Sequence, residues 1–356
     1  YLTVTLKAEY RLYLKAIDLL KSSRGIRRNR VNDVFTRRLY IVSEQDILVE
    51  NYLRRRPKMA FNPGALLDGE TLSVFPRLIF DYYTYTSSIG VFKLNVEDLI
   101  NGEVNLPVHA RIILWPKMLW EFRGCEDARV FKADNDLIIL YTGYGYLSEN
   151  GRLNTAIVQA YGRFDKYYNC TSRNYFKIKT SDDEIFLPKA NKDSTFIDVK
   201  ADETAILTRP LIKDVEICWR GMANLLEAVI YEDSMEPVLP FEDWEWKVGW
   251  STNAVRISSN EYLVGWHGVH REDYSYRNGL ALVDEEGKLL AVSDYLLAPK
   301  DLNEEYGDRP FVIFGNGLAV YKENLIWVGG VSDYAIGFFI TELDKALEQL
   351  KWIKEK

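Results

Sequence analysis

Cysteine, histidine and long apolar runs are all scarce in this chain, and each shortage removes a class of function. The three cysteines, Cys125, Cys170 and Cys218, stand far apart among 356 residues. They are too few and too scattered for a disulfide framework or a zinc cluster. The three histidines, His109, His267 and His270, include no His-Glu-x-x-His pair, which excludes a zincin-type helix. No Walker sequence and no Gly-x-Ser-x-Gly elbow occurs. Gly143-Tyr-Gly145 and Gly315-Asn-Gly317 lack the third glycine and the following helix of a dinucleotide loop. No apolar run reaches the ~20 residues that span a bilayer, and Tyr1 to Ser22 lacks the basic start, apolar middle and small-residue cleavage site of a signal peptide. Positive charge is not in excess either: 45 Lys and Arg against 52 Asp and Glu give a net charge of −7, unsuited to generic binding of nucleic acid or anionic membrane. We therefore expect a cytoplasmic protein without metal or cofactor, whose chemistry uses carboxylates, Arg, Lys and one His.

Aromatics are abundant, 13% of the chain with 23 Tyr and 9 Trp, which suits a β-rich core, a sugar-stacking cleft, or both. The start reads as helix, with Leu12, Ala16, Leu19 and Leu20 at helical spacing, and a second helical piece is expected over Glu44 to Leu53. The basic run Arg24-Gly-Ile-Arg-Arg-Asn-Arg30 between them reads first as an ion-paired loop and second as an anion site. From about Leu66 to Ile340, short runs rich in Val, Ile, Tyr, Phe and Trp alternate with Gly, Asp and Asn turns, and no long amphipathic helix intervenes. This argues for an all-β domain and against Rossmann and TIM architectures.

Leu140-Tyr-Thr-Gly-Tyr-Gly145, Val264-Gly-Trp-His-Gly268 and Ile326-Trp-Val-Gly-Gly330 each end an apolar strand with an aromatic and a glycine. Second strands follow at Thr155–Gln159, Gly279–Val283 and Gly337–Ile340. A strand–turn–strand unit recurring at roughly 60 residues is what propeller blades produce, though a β-sandwich stays compatible. Leu343, Ala346, Leu347, Leu350 and Ile353 predict a closing helix, with Thr341 and Asp344 as its capping arrangement. The expected organisation is a helical extension over 1–60, a β-domain over 61–340 and a helix over 341–356.

Two clusters could carry chemistry. In Glu121-Phe-Arg-Gly-Cys-Glu-Asp-Ala-Arg-Val130, three acids and two arginines lie within nine residues and are costly to bury unless paired. On an extended chain Glu126 and Asp127 face opposite ways, so one can enter a cleft; the plainer reading is a surface ladder of ion pairs. In the second cluster, Lys247-Val-Gly249, Trp266-His-Gly-Val269, Tyr276 and Arg277 could bring cation, imidazole and phenol onto one anion such as phosphate. Taken singly, His267 reads as a core histidine and Lys247 as a solvated lysine.

Taken in order, these pieces resemble glycoside hydrolase family 130, the inverting β-mannoside phosphorylases and β-mannosidases. The likeness rests on Asn62-Pro-Gly-Ala65, Ser87 to Gly90, Gly124-Cys-Glu-Asp-Ala-Arg129, Tyr141-Thr-Gly143, Lys192-Asp193, Arg209-Pro210, Lys247-Val-Gly249, Trp266-His-Gly-Val269, Tyr276-Arg-Asn-Gly279, Gly307 with Pro310 to Gly317, and Ser332-Asp333. The resemblance implies a five-bladed β-propeller with helical N- and C-terminal extensions. It implies Asp127 as general acid acting through a sugar hydroxyl, and inorganic phosphate as co-substrate. Lys247, His267, Tyr276 and Arg173 would bind phosphate, while Asn62, Ser87, Glu126, Arg129 and Asp333 would hold the mannosyl unit or order the site.

The sequence departs from the family pattern at Ala128, where Pro is usual, at Tyr85-Thr86, where many members carry Arg, and over Lys189 to Ile197. The expected activity is phosphorolysis of a β-mannoside, a small-molecule substrate, in a protein that could form a homo-oligomer. The alternatives are an inverting hydrolase with Glu242 or Glu245 as base, and a non-catalytic carbohydrate-binding propeller.

Overall fold

A computed structural model describes residues 2–81, 83–200 and 202–354, with side chains from residue 7 onward. Strands dominate, as the alternation of apolar runs and turn residues predicts. Taken along the chain, they fall into five successive groups of mainly antiparallel strands. The first is Met59–Asp68, Thr71–Ile79, Ser87–Asn95 and Val108–Leu114. The second is Gly124–Ala133, Asp136–Glu149, Arg152–Phe164 and Cys170–Tyr175, tied to the first by a single parallel bridge between Ser87 and Gly124. The third is Asn191–Phe196, Glu203–Ile212 and Cys218–Asn224, the last flanked by Val229–Tyr231 and Glu236–Leu239. The fourth is Glu245–Trp250, Glu261–His270, Tyr276–Val283 and Leu289–Val292. The fifth is Ile313–Tyr321, Asn324–Val331 and Ala335–Glu342, completed by Arg37–Val42 from the start of the chain. The three repeats seen in the sequence are the second and third strands of the second, fourth and fifth groups.

Side chains between neighbouring groups form the core. The largest cluster includes Trp219, Trp250 and Trp266, all fully buried. The N-terminal helix, Leu2–Ser22, docks Ala8, Leu12, Ala16 and Leu20 into this cluster. Burial of that apolar stripe, rather than helix propensity alone, fixes the helix on the β-domain.

Three expectations are corrected. Glu44 to Leu53 is not a helix: a single turn, Ser43–Asp46, leads into the strand Ile47–Val49, which pairs in parallel with Val108–Leu114. Residue 60 is not the edge of the β-domain, because Arg37–Val42 is already the outer strand of the fifth group. The closing helix covers only Leu343–Leu347, its N-cap Glu342 makes no side-chain cap, and Lys351–Trp352 turns back to pair with Leu289–Val292. Residues 355–356 of the expected helix, and Tyr82 of the aromatic run before Ser87, lie outside the described residues. No helix among the described residues is long and apolar enough to cross a membrane.

Candidate active site

The first strand of every group breaks its register once: between Phe61 and Gly64, Glu126 and Arg129, Lys192 and Thr195, Glu245 and Lys247, and Phe314 and Gly317. A bulge bends a strand and re-aims a side chain. Asn62, Asp127 and Asp193 occupy three of these bulges at φ of 44°, 55° and 56°, and Ser332 and Asp333 add 44° and 56°. Left-handed backbone at non-glycine residues costs about 1–3 kcal/mol each and clusters at functional sites. Gly64 lets Met59–Asp68 and Gly124–Ala133 meet, since a Cβ there would stand 2.5 Å from the Ala128 carbonyl oxygen. Residues from four of these bulges, Asn62, Glu126, Asp127, Lys192, Asp193 and Phe314, line a cavity of about 120 Å³.

One half of this cavity is acidic. Asp127 is 6% exposed. Its Oδ1 accepts from Asn62 Nδ2 at 3.1 Å and from Arg77 at 3.4 Å. The Arg77 guanidinium lies over the Phe61 ring and also donates to Glu126 at 2.9 Å and to Ser87 Oγ at 2.7 Å. Burial opposes its charge, but Glu126, Asp127 and Asp333 together raise its pKa. Burial pushes the Asp333 carboxyl up to about 6, with Arg77 pulling against it and Asp127 adding to it. Burial also raises Glu126, despite Arg77. Three carboxylates thus share one guanidinium.

The other half is basic. Lys192, Arg209, His267, Tyr276 and Arg309 line it, and Lys247 stands alongside, 3.9 Å from Glu216. Arg209 is ion-paired with Asp193 at 2.8 Å and with Glu216. Asp193 also receives Arg129 at 3.4 Å, and these arginines overcome burial to hold its carboxyl well below the usual range. His267 Nδ1 contacts Ser251 Oγ at 2.8 Å. Burial, with Arg209 and Lys247 beside it, drives His267 well below its ordinary pKa, against the pull of Asp193. Burial would raise the Tyr276 phenol, but Lys247 and Arg309 lower it on balance. Lys192, Arg209, Lys247 and Arg309, with Arg129 on Asp193, are five cations against the two carboxylates Asp193 and Glu216, an excess that suits an anion.

Burial and Arg209 bring the Lys247 ammonium down to about 8. A lysine holds its proton below its pKa, so any anion it binds is released as pH rises through that value. Any anion held beside Lys247, with inorganic phosphate as the probe in titration calorimetry, is therefore expected to bind less tightly above about pH 8, by up to about tenfold per pH unit. In Lys247→Met this loss is absent.

A family model described as beta-1,4-mannooligosaccharide phosphorylase matches residues 25–354 of this chain. The chain belongs to glycoside hydrolase family 130. Among curated relatives, a 1,2-beta-oligomannan phosphorylase of Thermoanaerobacter sp. (strain X514) is 25% identical over 228 residues, covering 63% of this chain and 70% of the relative. A beta-1,2-mannobiose phosphorylase of the same organism is 27% identical over 303 residues, covering 80% and 90%. Among solved structures, the beta-1,2-mannobiose phosphorylase of Listeria innocua in complex with beta-1,2-mannobiose superposes with a TM-score of 0.60 at 17% identity, over 84% of this chain and 94% of that one.

In this family 130 chain, Asn62, Glu126, Asp127, His267, Tyr276 and Asp333 come together around the cavity. Four other expected residues do not line it. Ser87 lies behind Arg77 and accepts its Nε. Arg129 runs beneath the floor, donating to the Asp127 and Ser251 carbonyls. Lys247 stands beside the lining, as described. Arg173 is drawn away altogether: it is bound to buried Glu121 at 2.9 Å and to the Trp115 carbonyl, on the edge strand of the second group. Glu242 and Glu245 are lost as candidate bases. Glu245 is fully buried against Arg27 and Tyr295, and Glu242 accepts the Gly25 and Arg27 amides. The basic run is accordingly an ion-paired loop, with Arg24 on Asp243, Arg27 on Glu245 and Arg30 on Asp294.

Sequence reasoning gave no role to Lys192, Asp193, Arg209, Arg309 or Phe314, and passed over Arg77 entirely. The signal for Arg77 was a lone cation inside the apolar strand Thr71–Ile79, a position that demands a buried partner.

Proposed function

We propose that this protein is an inverting phosphorylase of β-mannosides, built as a five-bladed β-propeller with the site at its axis. The five successive groups, each opening on a bulged strand, support the architecture. The observation that carries the activity is the polarity of the cavity: a buried acid cluster with Asp127 at one side and an unbalanced set of cations at the other. Inversion at a sugar carbon needs a proton donor on the leaving side and a nucleophile on the opposite face. Here Asp127 supplies the proton, and a phosphate held by Arg209, Lys247, His267 and Tyr276, with Lys192 and Arg309, is the nucleophile.

A phosphate oxygen forms a bond to C1 as the C1–O glycosidic bond breaks. The proton passes from the Asp127 carboxyl through a mannosyl hydroxyl to the departing oxygen, giving α-mannose 1-phosphate and a shortened acceptor. Asn62, Glu126, Arg77 and Asp333 hold the mannosyl unit, and Arg129 fixes the strand that presents Asp127. Inorganic phosphate is the only co-substrate this scheme needs. The named curated relatives, both phosphorylases, point the same way, and Glu242 and Glu245, two candidate bases for hydrolysis, are bound to the Arg27 loop.

The test is turnover of a panel of β-1,2- and β-1,4-linked mannosides with and without phosphate. Product release that saturates with phosphate supports the proposal, and equal release without phosphate removes it.

A further inference from the structure

The buried pair Arg27–Glu245 has no task in the phosphorolysis scheme, yet it is fully built. Arg27 sits on the loop after the N-terminal helix, and both side chains are closed to solvent. Arg27 Nη1 donates to Glu245 Oε2 at 2.9 Å, and Nη2 donates to Oε1 and, at 3.2 Å, to the Pro240 carbonyl. The Glu242 amide donates to the same carboxylate at 2.8 Å, and so does the Tyr295 hydroxyl. The guanidinium lies over Trp266, 4.3 Å from the ring centre. A buried ion pair often gains nothing in stability over apolar residues of the same volume, and its best-attested use is to fix a register.

Two contacts show which register is fixed. Glu245 opposes His270 and Lys247 opposes Val269, with the break in the fourth group between them. On an unbroken strand residues 245 and 247 would share a face. The break leaves Glu245 in the core with Arg27 and Lys247 beside the cavity, 3.9 Å from Glu216. Arg271 Nε also holds the Glu245 carbonyl at 2.8 Å. Independently, the Glu245 carboxylate lies so close to Gly268 that no Cβ would fit there, and Gly268 directly follows His267. One carboxylate therefore touches both strands that present Lys247 and His267, and Arg27 holds it from a loop that belongs to neither.

We propose that Arg27 and Glu245 form a buttress that sets Lys247 and His267 at the separation an anion requires, which makes Arg27 a positioning residue for phosphate although it does not line the cavity. The proposal rests on the phosphate reading above and adds to it the part of the chain that orders the basic half. Displacing a binding group by about 1 Å can cost as much as ~10²-fold, so a support behind Lys247 is felt at the anion.

The experiment measures calorimetric affinity for inorganic phosphate, KM for phosphate and for a β-mannoside, and Tm. The proteins are the wild type, Arg27→Lys, Tyr295→Phe and the double variant Arg27→Met/Glu245→Met. The double variant strands no charge, so its Tm is expected to stay close to that of the wild type. Its phosphate affinity is expected to fall about tenfold, with KM for phosphate rising equally and KM for mannoside unchanged. Arg27→Lys keeps the charge but not the two-pronged grip, and should fall between the two. Tyr295→Phe takes one hydroxyl from Glu245 and leaves the ion pair in place; it should weaken phosphate binding by about threefold. Wild-type phosphate affinity in the folded double variant, or an equal rise in both KM values, overturns the positioning role. If the double variant does not fold, Tyr295→Phe decides, and unchanged phosphate affinity there overturns the role as well. Wild-type turnover indifferent to phosphate would instead count against the phosphorylase reading, because positioning is read from phosphate binding alone.

Discussion

Asp127→Asn is expected to lower phosphate-dependent turnover of a β-mannoside by ~10²–10⁴-fold, the usual contribution of general acid–base catalysis. The substitution is nearly isosteric and keeps an oxygen for the Asn62 amide, so the bulge and its contacts persist. What disappears is the transferable proton. The fall should therefore appear in kcat, with KM for mannoside changing little, since a group acting only in the transition state does not contribute to ground-state binding. Full turnover in Asp127→Asn would mean that the proton comes from elsewhere. Asp333 would then be the first group to test, as its raised pKa keeps a proton available near pH 6.

The second large effect concerns stability. Arg209 is almost fully buried and is bound to equally buried Asp193 and to Glu216. Removing one partner of a buried pair costs about 3–5 kcal/mol where the other charge is left uncompensated, and here Arg129 remains on Asp193, so the lower end applies. Arg209→Met should thus lower the Tm by about 5 °C in a chain of this size. The double variant Arg209→Met/Asp193→Asn should not recover the loss, because it also takes the carboxylate away from buried Arg129. An unchanged Tm in the single variant would show that Arg129, the other arginine on Asp193, compensates alone. Binding of phosphate should weaken in both variants.

The sequence disclosed the β-domain because its signals are local: apolar runs of strand length, turn residues between them, and an aromatic–glycine ending that recurs. The N-terminal helix was legible for the same reason, through Leu12, Ala16 and Leu20. The failures lie where distant pairing decides. Ile47–Val49 joins Val108–Leu114 as a parallel edge strand, and Lys351–Trp352 adds to the fourth group; tertiary contact overrode helical spacing in both. Arg37–Val42 looked like part of an extension because its partner, Ala335–Glu342, is some three hundred residues away.

The site divides in the same way. Asp127 and Glu126 were legible as an acid cluster dense in one short stretch. Arg77, which organises them, comes from another strand fifty positions earlier, and nothing local ties it to them. Arg173 was assigned to phosphate by position along the chain. In the structure it is held by Glu121, an acid that also receives the Tyr141 hydroxyl at 2.5 Å. Lys192, Asp193 and Arg209 were visible as short matching pieces, but their roles emerge only once the strands Asn191–Phe196 and Glu203–Ile212 pair and place them side by side.

The central claim is that phosphate, seated among Arg209, Lys247, His267 and Tyr276, is the attacking group. Phosphorus and proton NMR of a β-mannoside incubated with the protein in phosphate buffer tests it most directly. The account predicts α-configured mannose 1-phosphate appearing one-for-one with glycosidic bonds cleaved. Free mannose formed at the same rate with phosphate omitted would contradict it.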